Sequence, residues 1–128
     1  MVAADIMTKD VITLRPKTNI IDAVKALVNN KISGAPVVND QGNILGVVTE
    51  KDLLVSLDFI GMGEAQEVYV EEFMTIDVIT FDENTSVKEI IQTLVMKNIK
   101  RVPILRDNKV VGIVSRRDIL KNIPQLSS

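Results

Sequence analysis

The sequence has no cysteine, no histidine and no tryptophan, and only one tyrosine and three phenylalanines among its 128 residues. Without cysteine there are no disulfides, thiolate metal sites, iron–sulfur clusters or thiol nucleophiles. Without histidine the commonest metal ligand and the usual general base near neutral pH are both missing. No Ser-His-Asp or Cys-His device can be assembled, so catalysis would have to run through lysine or paired carboxylates, and no acid pair with suitable spacing stands out. Aromatics make up 3% of the chain and are not interleaved with Lys or Arg, which leaves no platform for stacking single-stranded bases. Neither sign of charge is in excess: 15 basic and 17 acidic residues give a net charge of −2. No overall field therefore draws nucleic acid or anionic lipid. No apolar run approaches the ~20 residues of a spanning helix. The first residues, MVAADIMTKD, lack the basic-then-apolar pattern of a signal peptide. The expectation is a soluble cytoplasmic protein with no membrane insertion. There is no GxxxxGK[ST] phosphate loop and no acidic loop with metal-binding spacing.

Aliphatic residues fill the space the absences leave. Hydrophobic residues are 46% of the chain, mostly Val, Ile and Leu. A chain of this size buries roughly two-thirds of its unfolded surface and needs no staples. The apolar residues are organised by an internal repeat. Met7-Thr8-Lys9-Asp10-Val11-Ile12-Thr13 matches Met74-Thr75-Ile76-Asp77-Val78-Ile79-Thr80. The same spacing carries Thr18 onto Thr85, Leu27 onto Leu94, Ile32 onto Ile99, Pro36 onto Pro103 and Asp40 onto Asp107. After a single-residue deletion, Gly46 falls on Gly112, Thr49 on Ser115, Asp52 on Asp118 and Leu54 on Leu120.

Both copies predict one unit, β-α-β-β-α. A β-branched run, Val11 to Leu14 or Val78 to Phe81, reads as a strand. A helix follows, with apolar positions Ile20, Ala23, Val24, Leu27 and Val28, or Val87, Ile90, Ile91, Leu94 and Val95. Both sets follow i, i+3, i+4, i+7, i+8, the pattern of a buried stripe. Asn19 with Asp22, and Ser86 with Glu89, mark the helix starts. Two strands joined by a turn come next, around Asp40-Gln41-Gly42-Asn43 and Asp107-Asn108. A final helix opens at Glu50 or Arg116, ending before Gly61 or Pro124. The expected division is residues 1–60 and 71–128, with 61–70 as a link solvated by Glu64 and Glu67. The five methionines are scattered and read as core filler. Two half-cores related by a pseudo-two-fold axis would bury their sheets against each other and leave two equivalent clefts, where ligands usually bind.

Three groups of residues are candidates for chemistry. Thr49-Glu50-Lys51-Asp52 and Ser115-Arg116-Arg117-Asp118 each follow a strand and open a helix. That spacing makes a capping box, with the acid reaching back to the cap. The same place offers amides and the positive end of a helix dipole to an anion. An ionised Asp accepts hydrogen bonds only, so it would repel phosphate yet hold a ribose diol. The second group is Lys100-Arg101-Val102-Pro103, matched by Ser33-Gly34-Ala35-Pro36. Proline holds its predecessor extended and sits at strand starts or edges, leaving backbone groups free to read a base edge. Lys100 and Arg101 are candidate phosphate contacts, with Arg116 and Arg117 near them, or else a basic patch facing water. The third group is Thr8, Val11, Ile12 and Thr13 with Thr75, Val78, Ile79 and Thr80, which reads as core strand or as an apolar wall against a base.

Taken together, DIMTKDVIT and EFMTIDVIT, GAPVVND and RVPILRD, and GVVTEKDLL and GIVSRRDIL make the chain resemble a tandem pair of CBS domains, named for cystathionine β-synthase. The resemblance covers residues 2 to 122. It implies an α+β fold of two β-α-β-β-α repeats packed sheet to sheet about a pseudo-two-fold axis. It also implies binding of adenosine derivatives (AMP, ADP, ATP or S-adenosylmethionine) as regulatory ligands and not as catalytic cofactors. Pairs of this kind assemble as homodimers and regulate an effector. By the same resemblance Asp52 and Asp118 hold ribose hydroxyls, and Thr49 and Ser115 approach phosphate. The early strands, here Ile12, Thr13, Val78 and Ile79, and the pre-proline segments surround adenine, while Lys100 and Arg101 meet phosphates. The first copy has Ser33-Gly34 and Glu50 where the second has Lys100-Arg101 and Arg116, so the Asp118 cleft is expected to be the tighter site for a phosphorylated ligand. The alternative is a ligand-free dimerisation or scaffold module, in which the Thr-x-x-Asp and Ser-x-x-Asp pairs only cap helices.

Overall fold

The four expected helices form where their caps put them, and two short ones, at 3–6 and 123–126, are added to them. In a computed structural model that describes residues 1–126, the elements run α1 (Ala3–Ile6), α2 (Ile20–Asn29), β1 (Gly34–Val38), β2 (Ile44–Thr49), α3 (Glu50–Ile60), β3 (Phe81–Asp82), α4 (Val87–Met96), β4 (Arg101–Arg106), β5 (Lys109–Ser115), α5 (Arg116–Lys121) and α6 (Ile123–Leu126). Asn19 accepts the Asp22 amide at 2.8 Å to open α2. Ser86 accepts the Glu89 amide at 3.2 Å to open α4. Lys31 and Asn98, at matching positions past the ends of these helices, both take the left-handed conformation (φ 54° and 51°) that commonly closes a helix. The fold is α+β.

The chain forms two compact units. The first consists of residues 12–78; the second joins residues 1–11 to residues 79–128. In the first unit β1 pairs antiparallel with β2. Leu14 forms a parallel bridge to Val37 on one side of this hairpin, and Thr75 an antiparallel bridge to Val47 on the other. The second unit repeats the arrangement. Its β4 pairs antiparallel with β5, β3 lies parallel to β4, and Thr8 bridges Ile113. Each hairpin is thus edged by the Met-Thr segment of the other sequence copy. The β4–β5 turn is Asp107-Asn108, with φ 51° and 66°, the left-handed pair that a two-residue hairpin loop requires.

Each unit has its own core. Ile20, Ala23, Leu27, Ala35, Val37, Val48, Leu53 and Val70 pack together in the first. In the second, Ala3, Ile6, Val87, Ile90, Leu94, Val102, Ile104, Val114 and Ile119 do so. Several expectations need correction. The predicted strands at 11–14 and 78–81 shrink to the single Leu14 bridge and the two residues of β3, because each outer segment pairs only near the C-terminal end of β1 or β4, at Val37 or at Ile104 and Leu105. Val28 and Val95 are not buried but 67% and 74% exposed, since the stripe is one residue per turn narrower than the pattern at its C-terminal end. Met96 and Met1 are exposed rather than core filler. Glu64 and Glu67 are exposed as expected, yet Ala65 and Val70 beside them are fully buried. Val70 donates to the Thr18 carbonyl, and Ile20 to that of Val68. Lys17 also reaches Glu71 at 2.6 Å.

The glycine at the same place in both copies, Gly46 and Gly112, has a steric cause. A Cβ on Gly112 would lie 2.4 Å from the Met7 sulfur, and one on Gly46 would lie 2.7 Å from the Thr75 carbonyl oxygen. That oxygen is fixed by accepting the Val47 amide at 2.9 Å. Gly46→Ala therefore meets a backbone oxygen that cannot swing aside, besides the Met74 side chain at 3.0 Å, whereas Gly112→Ala pushes only on the flexible Met7 side chain. We expect both to destabilise, Gly46→Ala at or above the top of the roughly 1–3 kcal/mol range for overpacking and Gly112→Ala lower in it. Adding Met7→Ala should recover part of the Gly112→Ala loss, in denaturant melts that compare all three proteins.

Residues 1–11 are held in the second unit by backbone bonds from Ala3 to the Thr85 carbonyl and from Ala4 to the Glu83 carbonyl. The Glu83 side chain is clamped in turn by Arg106, whose Nε and Nη2 each donate to it at 2.8 Å. These bonds hold the Glu83 carboxyl below the ordinary glutamate range. The depressed value means that the pair contributes fully above the unfolded glutamate pKa of about 4.3 and loses its contribution as pH falls through the folded value. Glu83→Gln should lower the thermal midpoint at pH 7. That difference from the parent should close as the pH falls below about 4; a gap that persists in acid would contradict the pairing.

Candidate functional site

The most polar constellation sits where β5 runs into α5, and again where β2 runs into α3. Ser115 is the last residue of β5 and the cap of α5. Its amide donates to Asp118 Oδ2 at 2.8 Å and its hydroxyl to the same oxygen at 2.9 Å, while the Asp118 amide donates back to the Ser115 hydroxyl at 3.1 Å. Asp118 is only 5% exposed. Its other oxygen accepts the Thr8 hydroxyl at 2.9 Å and lies 3.4 Å from Lys121 Nζ. A buried carboxylate needs such partners.

The first unit repeats the capping box more loosely. The Thr49 amide and hydroxyl donate to Asp52 Oδ2 at 2.9 and 3.1 Å, and the Asp52 amide donates to the Thr49 hydroxyl at 3.2 Å. Thr75 stands where Thr8 does, but its hydroxyl is 3.4 Å from both Asp52 oxygens, and Asp52 is half-buried. With Oδ2 engaged twice in each box, Asp52 Oδ1 keeps most of its accepting capacity, and Asp118 Oδ1 has little left.

Few amides are left for an anion. A helix start leaves four backbone donors without intrahelical partners. The Thr49 and Ser115 amides go to the carboxylates, the Asp52 and Asp118 amides to the hydroxyls. Glu50 donates to the Ser33 carbonyl and Arg116 to the Lys100 carbonyl, each at 3.0 Å. In each unit these contacts leave over the amide of Lys51 or Arg117.

The other expected residues are distributed between the units. Ile12, Thr13, Ser33, Gly34, Ala35, Pro36, Thr49, Asp52 and Val78 belong to the first, and Ile79, Lys100, Arg101, Val102, Pro103, Ser115, Arg116, Arg117 and Asp118 to the second. Strand pairing sets Gly34 beside Thr49 and Arg101 beside Ser115, so each pre-proline segment does lie next to its capping box. Gly34, Ala35, Pro36, Val102 and Pro103 are buried, and Val102 is packed in the core. Only their backbone is placed to meet a ligand. Thr13 is exposed, while Ile12, Val78 and Ile79 are half-buried. Lys100 and Arg117 are exposed, and Arg101 is half-buried. Arg116 turns away from the box. Its Nε donates to the Ile99 carbonyl at 3.1 Å and Nη2 to Asn98 Oδ1 at 3.3 Å, which places its charge at the C-terminal end of α4. Thr8 and Thr75 contact the carboxylates directly; in the sequence they read as core strand or as an apolar wall against a base, not as partners of the acids.

Each unit also carries an apolar groove between its helices, about 480 Å³ between α2 and α3 and about 380 Å³ between α4 and α5. Neither is lined by Asp52 or Asp118. Among the described residues no cluster of acids could hold a metal ion, and no helix is long and apolar enough to cross a membrane.

A duplicated α+β unit with a hydroxyl–carboxylate box at each hairpin-to-helix junction defines a class of two-repeat module, and comparison with known proteins agrees. The CBS domain profile matches residues 2–58 and again residues 70–125. The chain belongs to the CBS domain family. An uncharacterised protein of Methanocaldococcus jannaschii, MJ1225, is 30% identical over 118 residues, which are 91% of this chain and 41% of that protein. The chain thus spans less than half the length of that relative. Among solved structures, the CBS domain pair of protein MJ0100 in complex with 5′-methylthioadenosine and S-adenosyl-L-methionine is 30% identical, with a TM-score of 0.85 and 98% of each chain covered. CBSX2 in complex with AMP is 26% identical, with a TM-score of 0.86, covering 99% of this chain and 98% of that one.

The unequal distances to the two carboxylates give a direct test. Thr8→Val removes a hydrogen bond to a buried charge and should cost about 1.5–3 kcal/mol. Thr75→Val removes only a 3.4 Å contact and should cost less than about 0.5 kcal/mol. Chemical denaturation of the two variants beside the parent measures both.

Proposed function

We propose that this chain is a non-enzymatic regulatory module that binds an adenosine derivative (AMP, ADP, ATP or S-adenosylmethionine) at its Thr49–Asp52 and Ser115–Asp118 junctions and signals to a partner. The observation that carries this is the pairing of two adenosyl-bound relatives, MJ0100 and CBSX2, that match nearly the whole chain, with a hydroxyl and a carboxylate at each hairpin-to-helix junction. The lack of histidine and cysteine supports a role without catalysis. A cytoplasmic setting goes with ligands of this class. Exposed apolar side chains on the helices of both units support a homodimer of such modules, with the signal passing to a second copy or to an effector protein. Ligand can bias that signal only by binding two shapes of the module unequally.

The two junctions suit different ligands. A ribose reaching Asp52 meets an oxygen that only Thr75 approaches, at 3.4 Å. One reaching Asp118 has to displace Thr8 or Lys121. Phosphate, by contrast, finds Lys100, Arg101 and Arg117 on the second unit and no matching cations at Ser33 and Gly34. The first junction therefore fits a nucleoside of low negative charge, and the second a phosphorylated one.

A ligand-free scaffold is the second reading, favoured by one fact: the Asp118 box is already complete, with both oxygens engaged. Calorimetric titration with AMP, ATP and S-adenosylmethionine separates the two. We expect saturable heat with at least one. Asp118→Ala should weaken AMP binding by about 1.5–3 kcal/mol, and Asp52→Ala should weaken S-adenosylmethionine more than AMP. Absence of heat and of any thermal shift with all three ligands would establish the scaffold instead.

A further inference from the structure

Lys121 ends α5, one helical turn beyond Asp118, and its Nζ lies 3.4 Å from Asp118 Oδ1. A cation in the last turn of a helix commonly faces the terminal carbonyls. Here Asn122 meets two of them: its side chain donates to the Asp118 carbonyl at 2.6 Å and its amide to the Ile119 carbonyl at 3.0 Å. Lys121 turns to the carboxylate instead. The first copy has no such cation. With the spacing that sets Asp52 on Asp118, Lys121 falls on Val55, an apolar side chain that cannot pair with an acid.

The partners of Asp118 differ in how readily they can leave. The Ser115 amide and hydroxyl hold Oδ2, and the bridge to Ile113 fixes Thr8 beside Oδ1. Lys121 sits on a flexible four-carbon stem, and its side chain is 62% exposed, so it can swing into water without moving the backbone. A ribose diol that takes Oδ1 as its acceptor therefore displaces Lys121 first. What that exchange costs depends on the ligand. A nucleoside without phosphate takes the carboxylate and offers the ammonium nothing in return. A nucleotide brings its own anion, with which the released ammonium can pair, together with Arg117 of the same helix.

We propose that Lys121 is a specificity-determining residue of the second junction: it competes with the ribose for Asp118 and so selects phosphorylated over uncharged nucleosides. This rests on the reading above that Asp118 accepts a ribose, and adds the residue that sets which ligand charge is admitted there. Specificity is a difference of affinities, and a contact that handicaps the wrong ligand supplies it as well as one that rewards the right ligand.

Asp52→Ala confines ribose binding to the second junction, and calorimetric titration of that chain with adenosine and with AMP reads the selection. AMP should bind more tightly than adenosine. Adding Lys121→Val, which copies the first unit's residue, should tighten adenosine about three- to tenfold, between the worth of an exposed ion pair and that of a hydrogen bond to a buried charge. AMP should become no tighter. Lys121→Gln, which drops the charge and keeps most of the stem, should act in the same way, whereas Lys121→Arg should keep the preference for AMP. A chain that does not prefer AMP, or neutral variants that leave adenosine unchanged or tighten AMP as much as adenosine, would show that Lys121 does not select; the proposal then fails while the ribose reading stands. If neither ligand binds, with Lys121 in place or replaced, the ribose reading fails and takes the proposal with it.

Discussion

Two short backbone ladders hold this architecture together: Thr8 against Ile113, and Thr75 against Val47. Each is a single antiparallel bridge, with Thr8 and Ile113 exchanging bonds of 2.8 and 3.0 Å and Thr75 and Val47 exchanging two of 2.9 Å. Each bridge covers the open edge of a hairpin, and an uncovered edge is a liability. Each can form only because a glycine, Gly112 or Gly46, lets Met7 or the Thr75 carbonyl come close. The bridge also fixes the threonine beside the carboxylate that caps the following helix. One constraint thus sets the sheet edge, the glycine and one wall of the candidate site.

Under that shared constraint the two sites are alike in chemistry and unlike in geometry. Both have an Asp at N3 of a helix, held by a hydroxyl and an amide of the cap. In the second unit the Thr8 hydroxyl closes to 2.9 Å on a nearly buried Asp118. In the first, the Thr75 hydroxyl stops at 3.4 Å from a more open Asp52. Hydrogen bonds to charge weaken steeply as distance and exposure grow. The same two residue types therefore give a closed acceptor in one unit and an available one in the other.

Much of this was legible in the chain because it is local. Asn19 with Asp22, Ser86 with Glu89, Thr49 with Asp52 and Ser115 with Asp118 are contacts across one helical turn, and all four form where the spacing puts them. Asp107-Asn108 likewise declares its turn. What was hidden is non-local. Nothing in Met7-Thr8 says that it completes the hairpin of the other copy, so Gly46 and Gly112 could be aligned but not explained. Arg116 sits at a position that suggests phosphate, yet its guanidinium is spent on Ile99 and Asn98, partners that only the packed α4–α5 corner brings within reach. Val28 and Val95 continue the helical stripe in sequence and lie beyond the edge of the core in space. Periodicity marks a direction around a helix and not how far the neighbouring element extends.

The exchange of Met-Thr segments bears on how such a chain can arise. A lone copy would own a segment it cannot place on its own hairpin and a hairpin edge it cannot fill. Two separate copies could satisfy both needs by trading segments, as in a domain-swapped pair. Joining them on one chain then makes the trade intramolecular and independent of concentration. In that sense the duplication preserves, within one polypeptide, a mutual dependence that a single repeat could meet only by finding another of its kind.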